Sequence, residues 1–249
     1  MAKPSTRQAS DGTACGLGEA NLEAAMMSSE MLKQVQNRLE LFLLLSLVLV
    51  ILMYPMLDHG DLRRVILGTL VFVPVVLATI TMAKTKDWVW PSLLSMSGVL
   101  IFAVASMLFP NRALLATKWG ILTVFFGLTV VCLFSYLKDA RTVSNSHLFT
   151  AVSIYVLLGM LFFTLYSAFD VLQPGAFRHS TSAATDRPSE LLYFSLITLS
   201  TVGYGDIVPV HGEARMLAAL EGMIGVLYVA ITVALLVSAY ARQGNSRQE

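Results

Sequence analysis

The stretch Pro188-Ser189-Glu190-Leu191-Leu192-Tyr193-Phe194-Ser195-Leu196-Ile197-Thr198-Leu199-Ser200-Thr201-Val202-Gly203-Tyr204-Gly205-Asp206 decides the fold. Its first part reads as a helix. Proline at the first helical position gives up a donor that would have no partner there, and Glu190 complements the positive end of the helix dipole. The run Ser189 to Ser200 is apolar, but at about a dozen residues it falls short of the ~20 a spanning helix needs. Longer apolar stretches flank it, Leu148 to Phe169 before and Met216 to Tyr240 after. The spacing predicts a re-entrant helix that enters the membrane and ends inside it. Irregular backbone at that depth is tolerated only where it is buried in protein or faces water. The Gly-rich loop after Ser200 is therefore expected to line an aqueous passage.

Working outward, six apolar stretches punctuate the chain: Leu39 to Leu57, Val65 to Ala83, Trp88 to Phe109, Trp119 to Leu137, Leu148 to Phe169 and Met216 to Tyr240. Hydrophobic residues make up 56% of the 249 and charged residues 13%. Soluble domains run near 45–50% and about 25%. With a mean hydropathy of +0.70, the class is an all-α membrane protein with six transmembrane helices. A net charge of +1 gives no sign of a nucleic-acid partner. Residues 1–38 read as a mostly disordered cytoplasmic tail, 39–137 as a four-helix domain, 148–240 as a second domain and 241–249 as a short cytoplasmic tail. The segment Leu172 to Arg187 reads as a polar loop. Pro55 and Pro74 are candidate kinks, and Trp88, Trp90 and Trp119 sit where rings settle at headgroup level. Cys15 and Cys132 suggest neither a disulfide nor a metal site, and His59, His147, His179 and His211 read as solvated loop residues. The Lys and Arg bias between loops favours both termini inside.

The loop Thr201-Val202-Gly203-Tyr204-Gly205 resembles the selectivity filter of the potassium channels, the TVGYG sequence. The resemblance covers Leu148 to Tyr240 closely, and the first four stretches in number and length. It implies a homotetramer in which each chain lends one loop, and K⁺ held by the backbone carbonyls of Thr201, Val202, Gly203 and Tyr204. Gly203 and Gly205 can take positive φ at little cost, which lets carbonyls align. Val202 and Tyr204 are then expected to turn their side chains back into the short helix, and the Thr201 hydroxyl to add a ligand. Since the filter of this family lies on the extracellular side, both termini come out cytoplasmic in the cell inner (plasma) membrane.

Asp206, Tyr193, Phe194, Ile197, Ser200 and Glu221 are candidate supports of this loop. Several bacterial relatives carry a glutamate at the position of Ile197 that pairs with the aspartate, so Asp206 is expected to lack that partner here. Phe194 cannot hydrogen-bond Tyr204, so the surrounding cuff should rely on packing. Gly225, with Gly222, is a candidate gating hinge, and close packing against the short helix is the competing reading. Val226, Val229 and Val233 are candidate cavity-lining residues. Glu221, an ionisable residue inside an apolar stretch, is expected to bond the short helix of its own or an adjacent chain.

No Lys or Arg lies between Trp119 and Leu137, whereas steep voltage gating needs several charges at about 2.3 kcal/mol per charge per 100 mV. No intrinsic steep voltage sensor is expected. No nucleotide- or calcium-binding ring is expected after the sixth stretch, and no phosphate loop or catalytic constellation occurs. The expectation is a passive, potassium-selective channel in the lipid bilayer. It is not an enzyme, and has no cofactor, no nucleic-acid partner and no small-molecule substrate. Two alternatives stand beside it: a non-conducting accessory or sensor subunit that reuses the fold, and a less selective cation channel. A transporter of four pseudo-repeats is disfavoured by the single loop.

Overall fold

The computed structural model describes residues 38–54, 73–74, 76–80, 97–98, 101, 111–138, 145–179 and 188–245. The chain divides into two units, Met1–Leu39 and Glu40–Glu249, and the account below concerns the second. Of the expected features, the tail 1–36, most of the stretches 65–83 and 88–109, Cys15, Pro55, His59, Trp88 and Trp90 lie outside the described residues.

Apolar runs without an interior proline become long helices. Residues 40–53 form α1, followed by α2, Arg112–Lys138, and α3, Asn145–Leu172. The 12-residue α4, Pro188–Leu199, precedes α5, Gly212–Asn245. Among the described residues, α2, α3 and α5 are long and apolar enough to cross a membrane, whereas α4 is not. The first turn of α2 starts at residue 112 rather than 119. Asn111 explains this, because its side-chain oxygen accepts the Ala113 N–H at 3.1 Å and caps the helix ahead of its apolar part. Lys118 then lies over the Trp119 ring at 4.6 Å, and Lys138 complements the negative end of the dipole.

Hydroxyls inside these helices need partners that lipid cannot supply. Thr123, Thr129, Ser135 and Ser167 each donate to the carbonyl one turn back. That intrahelical bond is the usual way an apolar helix carries a polar side chain.

The core sits between α1, α2 and α3. Leu43, Leu47 and Val50 of α1 meet Phe125 and Phe126 of α2 and Ile154 and Leu157 of α3, all nearly fully buried. Tyr54 and Trp119 both set ring edges against Phe163, at 5.6 and 5.4 Å between centroids. Thr150 of α3 donates to Glu40 of α1 at 3.0 Å, and Ser146 donates to the same oxygen. Cys132 is buried within α2.

Two short strands amend the all-helical expectation. Phe177–His179 (β1) pairs antiparallel with Ile207–Pro209 (β2), with Arg178 opposite Val208. Ala176 extends the ladder by accepting the Val210 N–H at 2.8 Å. Three-residue strands show no usable periodicity, and their partners lie about 30 residues apart, so local sequence gives no sign of them. The histidines differ as well. His147 belongs to α3 and stacks on Tyr136 at 5.3 Å, His179 sits 2.5 Å from the Glu190 carboxylate, and His211 bonds Gln173 at 2.7 Å. Each borrows a polar or aromatic neighbour brought in by tertiary folding, which local sequence does not display.

Candidate functional site

Pro188 and Glu190 start α4 as their positions imply. How α4 ends matters more. The Val202 N–H reaches the Ile197 carbonyl at 2.9 Å, and the Thr201 N–H reaches the Thr198 carbonyl at 3.0 Å. These two bonds constitute a Schellman cap, whose left-handed position normally goes to glycine. Thr201 fills it at φ 60°. A β-branched residue there is strained by about 1–3 kcal/mol, and such strain collects at functional sites.

The left-handed conformation then recurs at every second residue. Gly203 has φ 49° and Gly205 φ 78°, while Val202 and Tyr204 stay outside the positive range. Alternating hands turn successive peptide planes the same way, which is the condition for a row of inward carbonyls. Glycine allows it at two of the three positions. A second N–H, that of Gly203, also reaches the Ile197 carbonyl, at 3.2 Å. Ile197 therefore supports the loop through its backbone.

One side-chain expectation needs correction, and another gains a partner. With isoleucine at 197, Asp206 has no glutamate partner there, and the Tyr193 hydroxyl donates to it instead at 2.9 Å. Its other oxygen accepts the Ile207 N–H at 3.1 Å. A tyrosine one turn before Ile197 reaches the carboxylate that residue 197 cannot. Val202 and Tyr204 do not pack behind the loop within their own chain: they are 53% and 72% exposed. Phe194, by contrast, is buried, but against Tyr166 at 5.3 Å and Phe177 at 5.5 Å, on the side of α4 that faces α3 and β1. Ser200 returns its hydroxyl to the Leu196 carbonyl at 2.7 Å.

The helices behind the loop grip α4 closely. A Cβ placed on Gly225 would lie 2.2 Å from the Leu199 carbonyl oxygen, so no side chain fits there. At Gly222 the nearest atom is the Thr198 oxygen at 3.8 Å, an ordinary contact. A Cβ on Gly159 of α3 would likewise lie 2.8 Å from a Leu196 methyl. Glu221 is fully buried, with Tyr166 donating to one oxygen at 2.6 Å and Ser195 to the other at 2.5 Å.

Sequence reasoning missed Tyr155, which donates to the Leu199 carbonyl at 3.2 Å, and Tyr228, which donates to the Ala151 carbonyl at 2.6 Å. It also missed Tyr166, Ser195 and Gly159. Their only signal was spacing, since residues 155, 159 and 166 share one face of α3. Val226, Val229 and Val233 lie on a face of α5 uncovered by their own chain. Among the described residues no group of His, Cys, Asp and Glu could hold a metal ion.

The family model described as "Ion channel" matches residues 150–242, close to the 148–240 of the resemblance. A two pore potassium channel b of Oryza sativa subsp. japonica is 39% identical over 75 residues, 30% of this chain and 19% of that protein. A putative potassium channel protein of Rhodopseudomonas palustris is 35% identical over 52 residues, 21% of this chain and 13% of its own. The inward rectifier potassium channel Kirbac3.1 of Paramagnetospirillum magnetotacticum is 29% identical over 109 residues, 42% of this chain and 33% of that one. Residues 150–242 are thus similar to an ion channel family, and these relatives are potassium channels. The relatives are ion channels, a family without enzymes. The chain spans a third or less of the length of these three relatives. No solved structure matches it. Within the matched segment, α3 precedes the re-entrant candidate α4 and α5 follows it.

Proposed function

We propose that four copies of this chain assemble around one axis and pass K⁺ passively across the cell inner membrane, with both termini cytoplasmic. The carrying observation is the backbone alternation at Thr201, Gly203 and Gly205 directly after the Schellman cap of α4. A column of carbonyls of Thr201, Val202, Gly203 and Tyr204 replaces the ion's water shell, and it needs fourfold closure. The exposure of Val202, Tyr204 and the apolar faces of α5 supports this reading, because neighbouring copies would cover them. Tyr193 and Asp206 brace the outer end of the loop and Ile197 its base. Val226, Val229 and Val233 line the wet cavity below.

Gating is not steeply voltage dependent in this reading, since residues 119–137 carry no Lys or Arg. Domain 39–137 acts as a sensor-like brace on domain 148–240. Gly225 serves as a packing position in the conformation described, because α5 lies on the Leu199 carbonyl there.

The test is ion flux into liposomes containing only the purified protein. K⁺ uptake without Na⁺ uptake is expected. Gly203→Val forces a side chain into a positive-φ position and should abolish flux, and Tyr204→Asp should abolish or broaden selectivity. Absence of flux from the intact protein would favour the accessory-subunit reading, and equal K⁺ and Na⁺ permeation the less selective channel.

A further inference from the structure

Three helices meet at one buried carboxyl. Glu221 of α5, Tyr166 of α3 and Ser195 of α4 are all fully buried. The Tyr166 hydroxyl donates to Oε2 of Glu221 at 2.6 Å, and the Ser195 hydroxyl approaches Oε1 at 2.5 Å. The same Ser195 oxygen lies 2.8 Å from the Gly159 carbonyl of α3, so its one hydrogen serves two acceptors. Around this cluster the walls are aromatic: Phe162, Phe177 and Phe194 all pack on the Tyr166 ring. An apolar side chain of similar volume would fill such a site at least as well for stability alone. What a carboxyl adds is direction.

We propose that Glu221 is a positioning residue for the ion-coordinating loop: it sets where α4 lies along its own axis through Ser195, and α4 in turn sets Thr201 to Gly205. This rests on the channel reading above. The other grips on α4 are the packing of Gly159 against Leu196 and of Gly225 against Leu199, the longer Tyr155 bond at 3.2 Å, the His179 to Glu190 pair at its first turn, and the Gly159 carbonyl, which shares the Ser195 hydroxyl with Glu221. The glycine contacts alone would let the helix slide or turn slightly. The Glu221 to Ser195 bond does not, because hydrogen bonds weaken steeply with angle. Ser195 lies two residues before Ile197, whose carbonyl holds the Val202 and Gly203 N–H groups at 2.9 and 3.2 Å. A small displacement at residue 195 therefore arrives at the loop undamped.

The experiment uses the full chain in liposomes, with flux and the K⁺ over Na⁺ permeability ratio measured beside tetramer melting in detergent. Glu221→Gln keeps both bonds: its amide oxygen accepts from Tyr166, and its N–H donates to Ser195, which still donates to Gly159. Its permeability ratio should stay within about twofold of the intact protein, whereas Glu221→Leu should lower it about tenfold, the size expected for one hydrogen bond. Ser195→Ala and Tyr166→Phe should each lower the ratio less. Ser195→Ala combined with Glu221→Leu should be no worse than Glu221→Leu alone, as for groups acting as one unit.

An unchanged ratio in Glu221→Leu overturns the proposal, as does a Glu221→Gln protein as impaired as Glu221→Leu. If Glu221→Leu fails to assemble, the two hydroxyl variants decide, and unchanged ratios in both overturn it. An intact protein that carries no K⁺ removes the channel reading itself. Intact selectivity in every variant removes only the role of Glu221.

Discussion

α3 and α5 are equally apolar spans, 27 residues each by hydropathy, yet 61% of the most apolar window of α3 is buried and only 17% of that of α5. α3 finds its neighbours in its own chain: α1 and α2 on one side, α4 and the upper half of α5 on the other. α5 is covered along one stripe only, marked by Ala214, Glu221, Gly225 and Thr232. That stripe is small and polar, while the exposed faces carry Met216, Leu220, Met223, Leu227, Val229 and Val233. The difference teaches that apolarity records which helices enter the membrane and leaves open what each face will meet there. In lipid, close approach and hydrogen bonds hold helices together, because lipid tails are as apolar as leucine. The covered stripe of α5 is where those two features occur.

The sharpest way to break this comparison is at the closest approach. Gly225→Leu drives a side chain into the Leu199 carbonyl, 2.2 Å from the first added atom. Folded protein should be lost, at a cost on the order of 3 kcal/mol or more, visible as loss of the monodisperse peak in size-exclusion chromatography. A pure hinge glycine would instead assemble and gate differently.

Next come the buried and uncovered faces. Leu157→Ala, at a fully buried position of α3, should lower stability by about 2–5 kcal/mol. Val229→Ala, at a position 49% exposed in the single chain, should stay within about 0.5 kcal/mol. Thermal unfolding in one detergent compares them directly. Equal losses would mean that α5 is as tightly held as α3.

A smaller effect is expected at the cap. Thr201→Gly relieves a left-handed β-branched residue at φ 60°, so melting should rise by an amount worth about 1 kcal/mol. K⁺ flux should fall with loss of the hydroxyl. A protein both less stable and fully conducting contradicts the placement of Thr201. The smallest effect belongs to Gly222→Ala, where ordinary contact distance leaves room for a methyl. Helix propensity favours alanine by about 0.8–1 kcal/mol, so melting should rise slightly with flux unchanged. Altered gating would restore Gly222 as a hinge.

Much of α4 and its loop was legible because the signals are local. Pro188, Glu190, the apolar dozen and the paired glycines each act within a few residues of where they stand. The residues that hold the loop were less legible. Tyr193 reaches Asp206 across 13 positions, and Tyr166 reaches Glu221 across 55. The sequence reading placed Glu221 against the short helix and named neither of its partners. It left Gly225 balanced between hinge and packing, since a glycine in a helix looks the same in either role.

By itself, then, the sequence determined the membrane class, the start of α4 at Pro188 and the positions where glycine frees the backbone. These follow from composition, proline chemistry and steric allowance within one or two turns of chain. Tertiary structure alone decided that threonine would take the left-handed cap, that Tyr193 would stand in for a carboxylate, and that Gly225 would lie on a carbonyl of α4. It also paired β1 with β2. Apart from the cap, a local strain that the packed helices hold in place, each is a contact between segments separated in the chain, and its energy exists only once they have closed on one another.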